Sequence, residues 1–354
     1  FWYIYYMDSQ SKSKEAALKR LKKTTISISE LWERILKRDK VALGQAISLL
    51  ESQLSSHQVL ANELIELSNQ YSTNNHCYKI GITGVPGVGK STFINVYTQL
   101  LLEKNQSVAI LAVDPTSQQS GGSILGDKTR MTNIFSHSDV FIRPSPSGLH
   151  LGGVAHKTRE VILLCEAAGF DNILVETVGV GQSETAVYDM TDLFILLMLP
   201  GAGDELQGIK RGIMELADIL VIHKADGDNL NKAKIASSDY KRALHLFPPT
   251  ESGWTPCVLM DSSEPPQGLQ EIDDKIESYF HLLKTNGYLL EKRKKQRNQW
   301  FVESMEAQLL QFIKTNPEIS GTYQNMMKEV NDLKISPQIA AQKVIELIQI
   351  HGKK

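Results

Sequence analysis

The residues "GVPGVGKS", Gly84 to Ser91, satisfy the spacing G-x-x-x-x-G-K-[ST] between an apolar run and a helical stretch. That spacing has a chemical purpose. Glycines let successive backbone N–H groups turn onto phosphate oxygens, and the helix that follows adds its N-terminal dipole. Lys90 is placed to reach the β- and γ-phosphates, and Ser91 to offer its hydroxyl to Mg²⁺. The predicted nucleotide cradle is therefore Gly84, Val85, Pro86, Gly87, Val88, Gly89, Lys90, Ser91 and Thr92. The competing reading is a fortuitous glycine-rich strand–helix turn, which motif and context together disfavour.

A phosphate loop needs acidic partners for its metal. Asp114 ends the run "VAILAVD" and Glu176 ends "NILVE". Carboxylates at C-terminal strand ends share an edge with the phosphate loop, where parallel sheets bind ligands. Asp127 lies in the long Gly/Ser loop "GGSILGDKTRM" and is a metal or catalytic candidate. It also fits a helix N-cap, a role that can coexist. In "TVGVGQSE", Gln182 is a candidate to orient an attacking water, against the plainer reading of a surface glutamine.

The third site is "HKAD", His223 to Asp226, after the apolar run "DILVI". It has the shape of the guanine-reading Asn-Lys-x-Asp, with histidine at the first position. Asp226 can accept from the N1–H and exocyclic amine of guanine, whereas adenine would leave a buried carboxylate unpaired. Lys224 can lay its alkyl stem along the base. The His223 ring carries an N–H donor and can substitute in part for asparagine; a purely packing role is its equal alternative. Ser262 and Ser263, after the last apolar run, stand where a base-edge contact would lie. These residues predict a GTPase with an altered base site.

Such residues need an α/β scaffold. Seven short apolar runs, "YKIGITG", "SVAILAVD", "VFIRP", "NILVETVG", "DLFILLML", "DILVIHK" and "TPCVLMD", are continuous rather than alternating. They predict a mostly parallel sheet covered on both faces, over about Cys77 to Leu283. Before it, Ser29 to Tyr71 is helical in pattern, with Leu43, Ile47, Leu50 and Leu54 on one face and Leu60, Leu64, Leu67 and Tyr71 on another. After Gly287 the pattern is helical again. Phe301, Met305, Leu309 and Phe312 form a stripe with no place in the core, and Ile339, Val344, Leu347 and Ile348 share one side of a terminal helix. The expected divisions are residues 1–76, an N-terminal extension and helices; 77–284, the P-loop GTPase domain; and 285–354, a C-terminal helical dimerisation arm.

Bulk properties exclude other classes. The 354-residue chain has a formal net charge of -2, so neither nucleic acid nor an anionic membrane is expected as partner. Its three cysteines, Cys77, Cys165 and Cys257, are scattered, which supports neither a disulfide framework nor a zinc ribbon and fits a reducing, cytoplasmic setting. No apolar run is long enough to span a membrane. The aromatic start "FWYIYY" lacks a basic n-region and a cleavage site, and reads as an extension upstream of a start at Met7. The run "EKRKKQR", Glu291 to Arg297, reads as the solvated face of a long helix.

Four long phrases, "AVDPTSQQSGGSILGDKTRM", "RPSPSGLHLGGVAHKTRE", "ILVETVGVGQSE" and "LPGAGDELQGIKRGIMELAD", together resemble the methylmalonyl-CoA mutase-associated GTPases of the MeaB/ArgK type. The resemblance runs from the N-terminal helices to the C-terminal arm. It implies a homodimeric SIMIBI-class GTPase that binds GTP/GDP with Mg²⁺. Such a protein acts as a chaperone of adenosylcobalamin-dependent methylmalonyl-CoA mutase, gating cofactor loading and protecting the mutase. The cobalamin adenosyltransferase is a second candidate partner. By the same resemblance Lys90, Asp114, Asp127 and Glu176 match nucleotide and metal residues. "GAGDELQGIKRG" matches a switch whose charged members are Asp204 and Lys210, the latter a catalytic candidate. His223 and "SSEPPQG" depart from the pattern.

Three other functions compete. A metal-delivery accessory GTPase would carry Cys/His clusters, and the nearest pair here, His150 and His156, reads better as polar loop residues. A transport-system protein kinase would need a kinase signature set, which is absent. A non-catalytic nucleotide-binding scaffold would need no water-positioning machinery.

Overall fold

The computed structural model describes residues 27–52, 54–72, 77–113, 134, 136–144, 151–177, 183–201, 211–263 and 266–351. The chain separates into two compact units, Phe1–Leu289 and Leu290–Lys354.

In the first unit, three helices precede the sheet: α1 (Ile28–Leu36), α2 (Lys40–Glu51) and α3 (Ser55–Ser72). Each of the first two begins where a side chain satisfies orphan N–H groups. Ser27 Oγ accepts from the Glu30 N–H at 3.1 Å, and Asp39 Oδ1 accepts from the Val41 and Ala42 N–H groups at 2.9 and 3.1 Å. The apolar face of α2 is Leu43, Ile47 and Leu50, all buried. Leu54 does not extend it: α2 ends at Glu51, and Leu54 is exposed in the connection to α3. In α3, Leu64 is buried, whereas Tyr71 is exposed and meets the edge of Trp32 with ring centroids 5.4 Å apart.

All seven apolar runs are strands: β1 (Tyr78–Gly84), β2 (Val108–Val113), β3 (Val140–Arg143), β4 (Asn172–Thr177), β5 (Leu193–Met198), β6 (Ile219–Ile222) and β7 (Cys257–Met260). They form one sheet in the order β3-β2-β4-β1-β5-β6-β7, and every pairing is parallel. Parallel strands need crossovers. These include α4 (Lys90–Glu103), α5 (Leu151–Ala167), α6 (Ser183–Tyr188), α7 (Arg211–Leu216) and α8 (Leu230–Leu244); α9 (Leu269–Thr285) follows a two-strand ribbon, β8 (Ser262–Ser263) with β9 (Pro266–Gln267). One face of the sheet packs on α4 and α9 through Phe93, Tyr97, Ile276 and Phe280. The other packs on α5 and α6 in a core that α1, α2 and α3 share, and on α7 and α8 beyond it. Burial on both faces explains why β5 is apolar throughout and why β4 carries Ile173, Leu174 and Val175 in succession.

The central strand β1 lies between β4 and β5; it leads into α4 on one face, whereas β4 and β5 lead into α6 and α7 on the other, so the loop leaving its C-terminal end opens where neighbouring connections part to opposite faces. Ligands of open α/β sheets bind at such a point.

The second unit holds most of α10 (Tyr288–Thr315), then α11 (Pro317–Asn331) and α12 (Pro337–His351). Asn316 caps α11, its Oδ1 accepting from the Glu318 N–H at 2.9 Å, with Pro317 in the first turn. Ile319, Met326, Ala340 and Val344 make a small core, with Leu347 and Ile348 packed against it. Ile339 is not part of that face but exposed. Five residues from Ile339 to Val344 rotate about 140° around the helix, whereas Ala340 stands four residues away.

Candidate functional site

The phosphate loop begins where β1 ends. Gly84 is squeezed against β5: a Cβ there would stand 2.5 Å from the Leu197 carbonyl oxygen. The loop then turns on left-handed glycines, Gly87 at φ +74° and Gly89 at φ +104°. Gly89 is the N-cap of α4, so the helix N-terminus opens on the loop. Lys90 Nζ donates to the Gly84 carbonyl at 3.0 Å, which keeps the ammonium against the arch of the loop. Ser91 Oγ donates to Glu176 Oε1 at 3.2 Å. Glu176 pairs in register with Ile82 of β1 on one side and Ala112 of β2 on the other, and is buried. A hydroxyl and a carboxylate at the mouth of a phosphate loop are the hard oxygen donors that Mg²⁺ takes. Beneath them the Thr83 and Thr177 hydroxyls are 2.8 Å apart, tying the ends of β1 and β4.

The base loop begins where β6 ends. The His223 N–H donates to the Met198 carbonyl at 2.8 Å, which fixes the exit from the sheet. His223 is 1% exposed and its Nδ1 donates to Asp261 Oδ1 at 2.8 Å. Its other edge lies against Gly89, where a Cβ would meet Nε2 and Cδ2 at 3.0 Å. Phe93 of α4 is edge-on to the ring. Lys224 is exposed, sits at φ +60° and donates from Nζ to the Gly87 carbonyl at 2.9 Å. Ser262 Oγ donates to Asp226 Oδ2. Ser262 thus reaches the base loop through the Asp226 carboxylate, the group expected to read guanine.

Asp261 had no assigned role in the sequence reading. Its N–H donates to the Ile222 carbonyl at 3.0 Å and its carbonyl accepts from the Ala225 N–H at 2.9 Å. Burial raises the pKa of its carboxyl, and the His223 contact pulls it back down. The signal was available: Asp261 ends the apolar run of β7 as Glu176 ends that of β4, at the same sheet edge.

The structure therefore brings together Lys90, Ser91 and Glu176 at one end and His223, Lys224, Asp226 and Ser262 at the other. Asp114, Asp127, Gln182, Asp204 and Lys210 lie outside the described residues, as do His150 and the segment around Met7. Among the described residues no group of three His, Cys, Asp or Glu is placed to hold a metal, and His156 contacts Glu160 at 3.2 Å. Cys77 and Cys165 are buried, and burial pushes the Cys257 thiol up to about 11. No helix among the described residues is long and apolar enough to cross a membrane.

The chain is similar to known proteins. Residues 43–318 match the family described as methylmalonyl Co-A mutase-associated GTPase MeaB. The GTPase ArgK of Escherichia coli is 41% identical over 323 residues, covering 91% of this chain and 97% of that protein. The mouse protein named methylmalonic aciduria type A homolog, mitochondrial, is 40% identical over 322 residues, 89% of this chain and 78% of that one. A solved structure described as a LAO/AO transport system kinase superposes with a TM-score of 0.70 at 35% identity, covering 92% of this chain and 99% of that one.

Proposed function

The chain belongs to the MeaB family of methylmalonyl Co-A mutase-associated GTPases, and from that premise we propose that it is a GTP-driven chaperone of adenosylcobalamin-dependent methylmalonyl-CoA mutase. It is a P-loop GTPase of the MeaB/ArgK type and binds GTP and GDP. Its GTP cycle gates cofactor loading and protects the mutase, with the cobalamin adenosyltransferase as a second partner.

The observation that carries the guanine reading is the Asp226 carboxylate, held by Ser262 beside a loop whose Lys224 already touches the phosphate cradle. Lys90 places its ammonium at the phosphates, and Ser91 with Glu176 would hold Mg²⁺. When bound, the ion neutralises charge on the transferred phosphoryl group. The chain's own residues supply the rest. The glycine loop orients the phosphates with backbone N–H groups, and Asp226 selects the base. In this proposal Asp114 and Asp127 complete the metal surroundings, Gln182 orients the attacking water, and "GAGDELQGIKRG" with Asp204 and Lys210 is the element a partner biases.

Family membership supports the partner, and the exposed stripe of α10 supports the assembly. Phe301, Met305, Leu309 and Phe312 are all exposed at helical spacing, and we assign them to a two-fold dimer contact. Single-turnover GTP hydrolysis with and without the mutase tests the function. Slow intrinsic turnover, accelerated by the mutase, is expected, and Lys210→Ala should bind GTP yet lose most of the acceleration. A mutase that leaves the wild-type rate unchanged overturns the partnership. A Lys210→Ala chain stimulated as strongly as wild type removes that loop from the mechanism.

A further inference from the structure

The base loop and the phosphate loop meet through a buried side chain as well as through the exposed Lys224. His223 leaves β6, donates from Nδ1 to Asp261 beyond β7, and lays its opposite edge on Gly89 at the start of α4. Its ring is almost wholly buried, so no face is turned to a base. Asparagine, the usual residue here, is shorter and would not span both contacts. The position is thus filled by a side chain large enough to touch the phosphate loop, and the carboxylate that orients it comes from a strand end 38 residues away.

Asp261 is suited to that task. Its backbone is bonded on both sides, to Ile222 before the loop and to Ala225 within it, and the next residue, Ser262, holds Asp226. Asp261 and Ser262 therefore fix both ends of the segment His223–Asp226. A carboxylate pinned in this way gives the imidazole one tautomer and one orientation, since an ionised carboxylate only accepts.

We propose that the buried His223–Asp261 pair is a positioning element that sets the spacing between the guanine-reading loop and the phosphate cradle, without touching the nucleotide. The proposal rests on the guanine-nucleotide reading of the site. A nucleotide spans two half-sites, and binding to the second is intramolecular once the first is filled. Its affinity then depends on the distance between them, and small misplacements are costly. A fragment that fills only one half-site does not sense that distance. The pair therefore matters for GDP and not for pyrophosphate.

The experiment is calorimetry of GDP together with competition by Mg-pyrophosphate on wild type, Asp261→Asn, His223→Ala and the double variant, each checked for fold by near-ultraviolet circular dichroism. Asp261→Asn is expected to weaken GDP about tenfold, the scale of a lost charge-assisted hydrogen bond. Pyrophosphate affinity should move less than about twofold, and the double variant should be no weaker than the weaker single one, as for residues acting as a unit. His223→Gln, which keeps an N–H donor, is the second variant should His223→Ala not fold, and it should retain more GDP affinity than an alanine-bearing or Asp261→Asn chain. GDP and pyrophosphate falling together would show that the ring merely props the phosphate loop. Unchanged GDP affinity, or additive losses in the double variant, equally overturns the proposal. A wild-type chain that binds ADP as tightly as GDP would instead overturn the guanine reading beneath it.

Discussion

The two halves of the nucleotide site are built by different means. The phosphate half is made of main chain: a strand end, two glycines at positive φ and a helix N-terminus, with Lys90 and Ser91 in the following turn. The base half is made of side-chain pairs, His223 with Asp261 and Asp226 with Ser262, each joining residues 36 or more positions apart. A main-chain site imposes residue types on consecutive positions, because only glycine tolerates those dihedrals and close approaches. A side-chain site imposes them on distant positions, and several residue types can meet each requirement. The first half is therefore constrained in sequence, whereas the second accommodates a histidine at the first position of the motif, paired with Asp261.

Removing Lys90 from the phosphate half should produce the largest effect. Lys90 is held within the arch of its own loop, donating to the Gly84 carbonyl. Lys90→Ala is expected to weaken GTP at least about a hundredfold, the scale of a charge-assisted contact to phosphate lost in a dry site. Fluorescent-nucleotide titration reads it. A loss of only a few fold would mean that the main chain alone carries the phosphates.

Asp226→Asn attacks the base half alone. The amide mismatches guanine, so GDP should weaken about a hundredfold while xanthosine diphosphate gains, as expected where a paired hydrogen bond discriminates. Competition between the two diphosphates measures the switch. If GDP and xanthosine diphosphate change alike, the selective residue lies elsewhere in the loop.

Two glycine substitutions separate loop packing from backbone propensity. Gly84→Ala pushes a Cβ toward the Leu197 carbonyl oxygen 2.5 Å away, which belongs to a central strand and cannot yield. A loss of about 1–3 kcal/mol in urea unfolding is expected from such overpacking. Gly44→Ala, in α2 with nothing within 4 Å of the added carbon, should instead gain about 0.5–1 kcal/mol. Equal effects would remove any special role for close packing at the start of the phosphate loop.

What could be read in advance follows the same division. The seven strands were visible because burial on both faces makes each a continuous apolar run. The phosphate loop was visible because its glycines are consecutive constraints. Asp261 was overlooked because a single carboxylate at a strand end looks like punctuation until its partner is seen across the sheet edge. His223 could not be divided between packing and base contact, since burial depends on Gly89 and Phe93 arriving from another part of the chain. Helix ends misled as well. Leu54 fits the period of α2 yet falls beyond its last turn, and Ile339 gives way to Ala340 because a small residue faces the core of the second unit.

The smallest effect concerns Lys224, whose exposed side chain crosses from the base half to the phosphate half. Lys224 Nζ reaches the Gly87 carbonyl at 2.9 Å, as Lys90 reaches that of Gly84. The resemblance is superficial. Lys224 is exposed, so water competes for its ammonium and the bridge contributes little. Its stem has a separate use, since an alkyl chain held at the mouth of the loop can cover one face of the base. Lys224→Met keeps an unbranched stem and removes the charge, whereas Lys224→Ala removes both. Methionine is therefore expected to weaken GDP no more than about twofold to threefold, and alanine about tenfold, by the apolar area each leaves uncovered. Calorimetry at low and moderate salt distinguishes the two contributions, because only the ammonium's share is screened. If methionine costs as much as alanine and the loss disappears with added salt, the charge bridging to Gly87 matters more than the stem. The base half would then lean on the main chain of the phosphate half more than its side-chain pairs indicate.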